Sequence, residues 1–258
     1  MDEVLYGKDS GIATITINRP ARRNSLTQQV VNMIRSSLAR ANHDPEINVI
    51  VFTGEGSTVF CAGGDLGRES AESGNIARHD ANKQLAELFS DIKDLGKPLI
   101  GRVNGHALGA GFAILLACDL VVASDDVRLG CPELKVGLFP MLTMVHLTRH
   151  LGPKSALEMM LTAQQINAVE AERMGLINYA VPRDELDSKT TELVEKIKDF
   201  SPIAIRLGRE TFTSAEELNF SQALDLALSN LSLNLGTEDA KEGTRAFLKK
   251  RKPVWLGK

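Results

Sequence analysis

The sequence lacks the features that mark membrane, secreted and nucleic-acid-binding proteins. No apolar run approaches the roughly 20 residues that a helix needs to cross a bilayer. The segment from Met1 to Val4 is acidic and has no basic region followed by an apolar one, so we expect no secretory signal. The formal net charge is only −3 over 258 residues, so we expect neither nucleic acid nor a membrane as a partner.

Cysteine is also scarce. Cys61, Cys118 and Cys131 are an odd number without the spacing of a metal site, so we expect reduced thiols, no bound metal and a cytoplasmic location. The sequence shows no internal repeat and no low-complexity linker. Apolar residues make up 43% and charged residues 24%, which is ordinary for a globular chain able to bury a large core.

The most informative segment, residues 98–140, is rich in small and apolar residues. Leu99 to Val103 predicts a buried strand that ends at a turn. Gly109-Ala110-Gly111 then opens a run through Cys118 that is apolar on every side, which predicts a helix buried all round. Small residues in its first turn would let a negative charge approach free backbone N–H groups. Tight packing of the helix on a sheet explains the same glycines equally well.

Strand and helix patterns alternate through the first two-thirds of the chain. Strands are predicted over residues 11–18, 48–53, 99–103, 120–123 and 178–181, and helices after Thr27 and over residues 85–92, 112–118, 142–151, 156–161 and 186–200. Residues 67–78 predict a mobile surface loop. From residue 201 onward only helical patterns occur, with Asn219 or Ser221 and then Thr237 as caps. This order predicts an α/β core over residues 1–200 and a C-terminal helical region over residues 201–258.

Several separated motifs follow one another in a characteristic order. They are Asn18-Arg19-Pro20, Asn24-Ser25-Leu26, Phe60 to Asp65, Asn104 to Gly111, Cys118-Asp119, Pro132-Glu133, Gly137 to Pro140, Met174 to Ile177, and Glu242-Gly243 with Phe247 to Pro253. Each motif is weak alone. The ordered set runs almost end to end and resembles the enoyl-CoA hydratase/isomerase, or crotonase, superfamily.

The resemblance implies a crotonase-like α/β spiral of ββα units with a C-terminal helical trimerisation region, the trimers often pairing into hexamers. It also implies an oxyanion hole in which two backbone amides bind the carbonyl oxygen of a thioester. Matched residue by residue, these amides belong to Gly64 and Ala110. Ala110 replaces the middle glycine of the family motif, and since the donor is a backbone N–H, alanine can supply it.

The resemblance further implies acyl-CoA as the bound partner, with no cofactor beyond the CoA of the substrate. The substrate-binding residues that it implies are Arg23, Ala62, Gly63, Asp65, Leu66, Gly109, Met141, Phe247 and Lys250. Asp65 would orient the Gly64 loop, and Met141 would line the acyl pocket or simply pack in the core. Lys250 belongs to a basic C-terminal segment and would lie near the adenosine end of CoA, often across a subunit boundary.

Hydratases of this family typically carry two glutamates, and this sequence has only one of them. The position in the buried helix is Ala113, whereas the position after a proline is Glu133. Water addition uses two groups, but a 1,3-proton shift needs only one base. We therefore expect double-bond isomerisation with Glu133 as that base. The alternatives are an enoyl-CoA hydratase of fatty-acid or amino-acid catabolism, another enolate reaction such as decarboxylation or hydrolysis, and a non-catalytic acyl-CoA-binding protein.

Overall fold

The larger of two sheets has six strands and is parallel except at one edge. The computed structural model describes residues 2–65, 67 and 74–258. In spatial order the strands are β1 (Val4–Asp9), β2 (Ile12–Ile17), β3 (Val49–Gly54), β5 (Leu99–Val103), β7 (Leu120–Ser124) and β10 (Tyr179–Val181). Strand β1 pairs antiparallel with β2, and the later neighbours pair in parallel. Five of these strands were predicted, and β1 was not.

A second sheet of four short strands lies beside the glycine-rich segments. Its order is β4 (Val59–Cys61), β6 (His106–Leu108), β8 (Arg128–Gly130) and β9 (Gln165–Asn167). The first three run parallel, and β9 pairs antiparallel with β8. None of the four was predicted, because three residues are too few to show a period of two.

Helices connect the strands and continue to the C-terminus. They are α1 (Gln28–His43), α2 (Asn75–Lys93), α3 (Ala110–Ala117), α4 (Met141–His150), α5 (Pro153–Leu161), α6 (Ala168–Arg173), α7 (Leu186–Lys198), α8 (Pro202–Ala215), α9 (Phe220–Gly236) and α10 (Glu238–Leu248). Among the described residues, short 3₁₀ turns occur at Pro20–Arg22, Pro132–Val136 and Arg183–Glu185. Within the described ranges no helix is long and apolar enough to span a bilayer.

The predicted caps explain where several helices begin. Thr27 Oγ1 accepts a hydrogen bond from the Val30 amide at 3.2 Å. Asn219, rather than Ser221, caps α9 through a reciprocal pair of bonds with Gln222. The loop predicted over residues 67–78 is wrong at its C-terminal end, since α2 already begins at Asn75. The first turns of α2 are exposed, so they carry no apolar period from which to predict a helix. Leu66 lies outside the described residues.

The helix predicted to be buried all round is α3, and packing accounts for one of its glycines. Residues Phe112 to Leu115 have no exposed surface. A Cβ atom on Gly111 would lie 2.3 Å from the carbonyl oxygen of Cys61 in β4, so only glycine allows helix and strand to meet there. Thr143 Oγ1 on α4 contacts the Gly109 carbonyl at the start of α3, and His150 contacts the Leu116 carbonyl at its end. The two helices therefore run side by side in the same direction.

One buried arginine joins the C-terminal helices to the sheet. Arg209 on α8, whose side chain is 8% exposed, contacts both carboxylate oxygens of Asp119 at 2.9 Å. It also donates to the carbonyls of Ile92 and Lys93 at the end of α2. Asp119 in turn accepts a hydrogen bond from the Leu99 amide at 2.7 Å, where β5 begins. A division of the chain at residue 201 stays a prediction, but α8 is tied firmly to the preceding core.

Removing this arginine should destabilise the fold. Arg209→Ala removes a buried guanidinium and leaves the Ile92 and Lys93 carbonyls without their donor, and such a loss lowers the free energy of unfolding by about 1–3 kcal/mol. Arg206→Ala is the matched control, because Arg206 lies one turn earlier with a side chain 54% exposed and its nearest ion pair at 4.0 Å. We expect the control to change stability by less than about 1 kcal/mol. Equal urea-unfolding curves for the two variants would contradict the anchoring role of Arg209.

Candidate active site

The two predicted oxyanion amides belong to backbone segments that touch each other. The Leu26 amide donates to the Gly63 carbonyl at 2.9 Å, and the Asp65 amide donates to the Leu26 carbonyl at 3.0 Å. This bridge turns the intervening amide of Gly64 away from Leu26. A Cβ atom on Gly63, where φ is +94°, would lie 3.3 Å from the Ala110 nitrogen. Gly63 is therefore glycine because the start of α3 packs directly against it.

Both amides are available to a ligand. Ala110 is the first residue of α3, where backbone N–H groups lack a partner within the helix. Within residues 2–65, 67 and 74–258, neither the Gly64 nor the Ala110 amide donates a backbone hydrogen bond. A Cβ atom built on Gly64 would meet nothing within 4 Å. The site thus offers two adjacent donors facing open space.

Glu133 lies against the start of the same helix. It is carried by the 3₁₀ turn Pro132–Val136, and its Oε1 atom would be 3.2 Å from a Cβ atom on Gly109. Thr143 Oγ1 bridges the two, at 3.3 Å from the Gly109 carbonyl and 3.5 Å from Glu133 Oε1. Gly109 also has φ +54° and ψ −124°, a conformation open to glycine alone. The backbone angle and the nearby carboxylate both require glycine at this position.

The Glu133 carboxylate is poised to accept a proton. Burial raises its pKa above the ordinary value of 4.5, and hydrogen bonds from its own amide and from Thr143 oppose this only in part. Its Oε2 atom is buried and, among the described residues, has no hydrogen-bond partner. A carboxylate with one free oxygen and a raised pKa has the properties of a general base.

Asp65 holds the Gly64 loop in place. Its carboxylate accepts hydrogen bonds from the Gly67 amide at 2.9 Å, from Ser25 Oγ at 3.0 Å and from Arg19 at 3.2 Å. Arg19 is itself paired with Glu3 at 2.7 Å. Burial alone would raise the pKa of Asp65, but these three donors lower it, so the aspartate stays charged. Sequence reasoning expected Asp65 to orient the loop but did not find the partners that fix it.

The remaining implied binding residues are more dispersed. Arg23 is exposed, with φ +53°, and its carbonyl accepts from the Ala62 amide at 3.1 Å, which places it beside the Gly63–Gly64 segment. Met141 begins α4 and is 63% exposed. Phe247 and Lys250 lie at the end of α10, and none of the described contacts connects them with the other candidate residues.

The other titratable groups near the site are packed, hydrogen-bonded or buried within the fold. Burial and the neighbouring Arg149 and His150 lower the pKa of His146 to about 4, and its ring packs on Phe89 with centroids 4.6 Å apart. His106 Nδ1 accepts from the Arg128 amide at 2.9 Å. Burial raises the pKa of Cys61 and Cys131 to about 12, so both are inert thiols at neutral pH. Thr143 is the site residue that sequence reasoning missed, since nothing in Met141 to Met144 marks it.

A family model, several relatives and several solved structures match this chain. A model of the enoyl-CoA hydratase/isomerase family matches residues 7–258. The chain belongs to this family. It is therefore an acyl-CoA enzyme, and its α/β architecture is the crotonase fold expected from the sequence motifs. Family membership does not decide between hydration and isomerisation, since the family includes both.

Relatives and solved structures agree over nearly the whole chain. It is 32% identical over 253 residues to a probable mitochondrial enoyl-CoA hydratase of Dictyostelium discoideum, covering 97% of this chain and 90% of that one. It is 33% identical over 259 residues to 2,3-dehydroadipyl-CoA hydratase of Escherichia coli K12, covering 100% of both. The human enoyl-CoA hydratase domain-containing protein 3 superposes with a TM-score of 0.95 at 32% identity, over 98% of this chain and 100% of that one. One of these relatives is named as mitochondrial, so a cytoplasmic location stays a prediction.

Replacing Glu133 by glutamine should stabilise the protein in a pH-dependent way. Because the folded state raises the pKa of Glu133, the protonated form is favoured on folding, and stability falls as pH rises through that raised pKa. Glu133→Gln removes this loss. The variant should therefore unfold at a higher temperature than the wild type at pH 8 and lose that advantage below pH 4.5, the ordinary glutamate value. Glu158→Gln, on the exposed face of α5, is the control, and a matching pH dependence there would contradict the assignment.

Proposed function

We propose that the protein catalyses double-bond migration in an enoyl-CoA thioester, with Glu133 as the only base. One observation supports this proposal. Among the described residues, the buried Oε2 atom of Glu133 has no hydrogen-bond partner, and it lies near the amides of Gly64 and Ala110, which donate no backbone hydrogen bond. The amides would bind the thioester oxygen and stabilise the enolate that forms when C2 loses a proton. Each such donor is worth about 10²–10³ in rate where negative charge develops.

A single base is sufficient for this reaction. Glu133 would take the proton from C2 of a 3-enoyl thioester and return it to C4, giving the conjugated 2-enoyl product without net loss of atoms. Its raised pKa favours the first half of this cycle, in which the carboxylate takes up the proton. Thr143, which contacts Oε1, would keep the carboxylate pointed at the substrate.

The alanine at position 113, where hydratases of the family typically carry a glutamate, supports isomerisation over hydration. Ala113 lies fully buried on α3, four residues after Gly109, whose carbonyl accepts the Ala113 amide hydrogen at 3.0 Å. A methyl group there cannot activate or hold a water molecule. His146 is neutral at physiological pH and its ring packs on Phe89, so it does not take over this role.

Hydration is the second candidate, and the names of the relatives favour it. The relatives from Dictyostelium discoideum and Escherichia coli are both named as hydratases. A hydratase with this site would need Glu133 to activate water while another group, such as the Thr143 hydroxyl, holds it. Fatty-acid catabolism is the setting that either reaction would serve.

Two surfaces extend the proposal beyond the reacting atoms. Large apolar residues on α9 are exposed along one side, namely Phe220, Leu224, Leu228, Leu231 and Leu235. Burial of this side in a homotrimer or homohexamer would explain why these residues are apolar.

The second surface is the basic C-terminal segment. Among the described residues, Lys249, Lys250 and Lys252 take part in no ion pair. Together with Phe247 and Arg23, these lysines would bind the phosphates and adenine of CoA.

The role of Glu133 can be tested by kinetics. Glu133→Gln should lower the turnover of a 3-enoyl-CoA by about 10²–10⁴, as expected for the loss of a general base, with little change in KM. Glu158→Gln should keep wild-type turnover. The assay follows the 2-enoyl product after separation of the isomers, and wild-type rates in Glu133→Gln would exclude Glu133 as the base.

The missing carboxylate can be restored. Ala113→Glu should raise the ratio of 2-enoyl-CoA hydration to isomerisation, because it supplies the second group that water addition needs. Ala113→Gln is the isosteric control without a charge and should leave the ratio unchanged. Both variants place a polar group in an apolar site and should lose some stability, so the ratio is the informative quantity. Efficient hydration without isomerisation by the wild type would overturn the single-base proposal in favour of the hydratase.

A further inference from the structure

A basic cavity, shallow and wide open to solvent, borders the turn that carries Glu133. It has a volume of about 480 Å³. Its lining residues are Arg128, Lys135, Thr162, Ala163, Gln164 and Gln165. None of them belongs to the oxyanion segments or to the C-terminal basic segment, so the cavity is separate from the acyl-CoA site described above.

The charges in this cavity are unbalanced. Arg128 and Lys135 are both exposed, and within the described ranges neither takes part in an ion pair. The lining contains no acidic side chain. Gln164 and Gln165 add amide N–H donors, whereas the hydroxyl proton of Thr162 is committed to the Glu158 carbonyl at 2.6 Å. Two cations with neighbouring amide donors form the donor set that phosphate groups prefer.

The backbone around the cavity is fixed by tight contacts. Strand β8 pairs with β9 so that Arg128 faces Asn167 and Gly130 faces Gln165. A Cβ atom on Gly130 would lie 2.5 Å from the Gln164 carbonyl oxygen, and the Arg128 amide donates to His106 on the neighbouring strand. The backbone position from which Arg128 extends is therefore set before any ligand arrives.

We propose that this cavity binds the phosphate group of a small molecule, with Arg128 as the forked donor and Lys135 as the point charge. The two cations lie at either end of the segment 128–135, which contains Glu133. An anion held between them would therefore rest against the turn that positions the candidate base. The proposal does not depend on which reaction the enzyme catalyses.

Calorimetric titration with inorganic phosphate, at ionic strength held constant with potassium chloride, tests the proposal. The wild type should bind phosphate, and Arg128→Gln combined with Lys135→Gln should weaken binding at least tenfold. Lys154→Gln combined with Arg173→Gln is the matched control, because it removes the same charge from exposed positions outside the cavity. Equal effects of the two double variants, or no phosphate binding by the wild type, would overturn the proposal.

Two further arms identify the source of the phosphate and guard against a misfolded variant. Adenosine 3′,5′-bisphosphate, the phosphorylated end of CoA, should bind with an affinity that depends on Lys249 and Lys252 if the C-terminal segment holds CoA. Dependence on Arg128 and Lys135 instead would assign the cavity to CoA. In the wild type, phosphate should slow the acetylation of Lys135 by acetic anhydride, measured by mass spectrometry, but not that of Lys154. Unprotected Lys135 would exclude the site without recourse to any variant.

Discussion

The site depends on the close approach of two backbone segments that carry almost no side chain. Gly63 and Gly64 on one segment meet Gly109 and Ala110 on the other, with Gly63 lying against the first amide of α3. A side chain at Gly63 or Gly109 would push the two segments apart and separate the N–H groups of Gly64 and Ala110. This geometry also sets the place of Glu133, whose carboxylate fills the space that a side chain at position 109 would need. Donors and base are thus positioned by one steric constraint.

The electrostatics follow from the same packing. Glu133 is half-buried, with Gly109 at the start of α3 and Thr143 on α4 beside its carboxylate. Among the described residues, its buried Oε2 atom has no hydrogen-bond partner. Such an arrangement opposes folding, as buried polar atoms without hydrogen bonds generally do. Asp65 lies only two residues from Gly63 and, in contrast, accepts hydrogen bonds from three donors that keep it charged. The two carboxylates therefore differ in role, because Asp65 has three donors whereas Glu133 keeps one oxygen without a partner among the described residues.

Much of the fold and part of the site could be predicted from the sequence. Strand β5 occupies Leu99–Val103 as predicted, because a short, mainly apolar run bounded by turn residues favours a buried strand. Motif order indicated the family, and it brought Gly64, Ala110 and Glu133 into consideration although each motif alone is weak. The four strands of the second sheet could not be predicted, because each is short and pairs with a segment distant in the sequence rather than showing a local pattern. The roles of Thr143 and Arg19 could not be predicted for the same reason. Glu133 lies 10 residues from Thr143 along the chain, and Asp65 lies 46 residues from Arg19.

The pairing of Arg209 with Asp119 also affects when the fold is completed during synthesis. The two residues are separated by 90 positions, so the core strands emerge from the ribosome well before the cation that neutralises Asp119. At about 5–20 residues per second, this interval lasts about 5–18 s. During that time the Ile92 and Lys93 carbonyls at the end of α2 lack the donor that Arg209 later supplies. A chain that ends before α8 would accordingly leave these two carbonyls and the Asp119 carboxylate without their arginine partner.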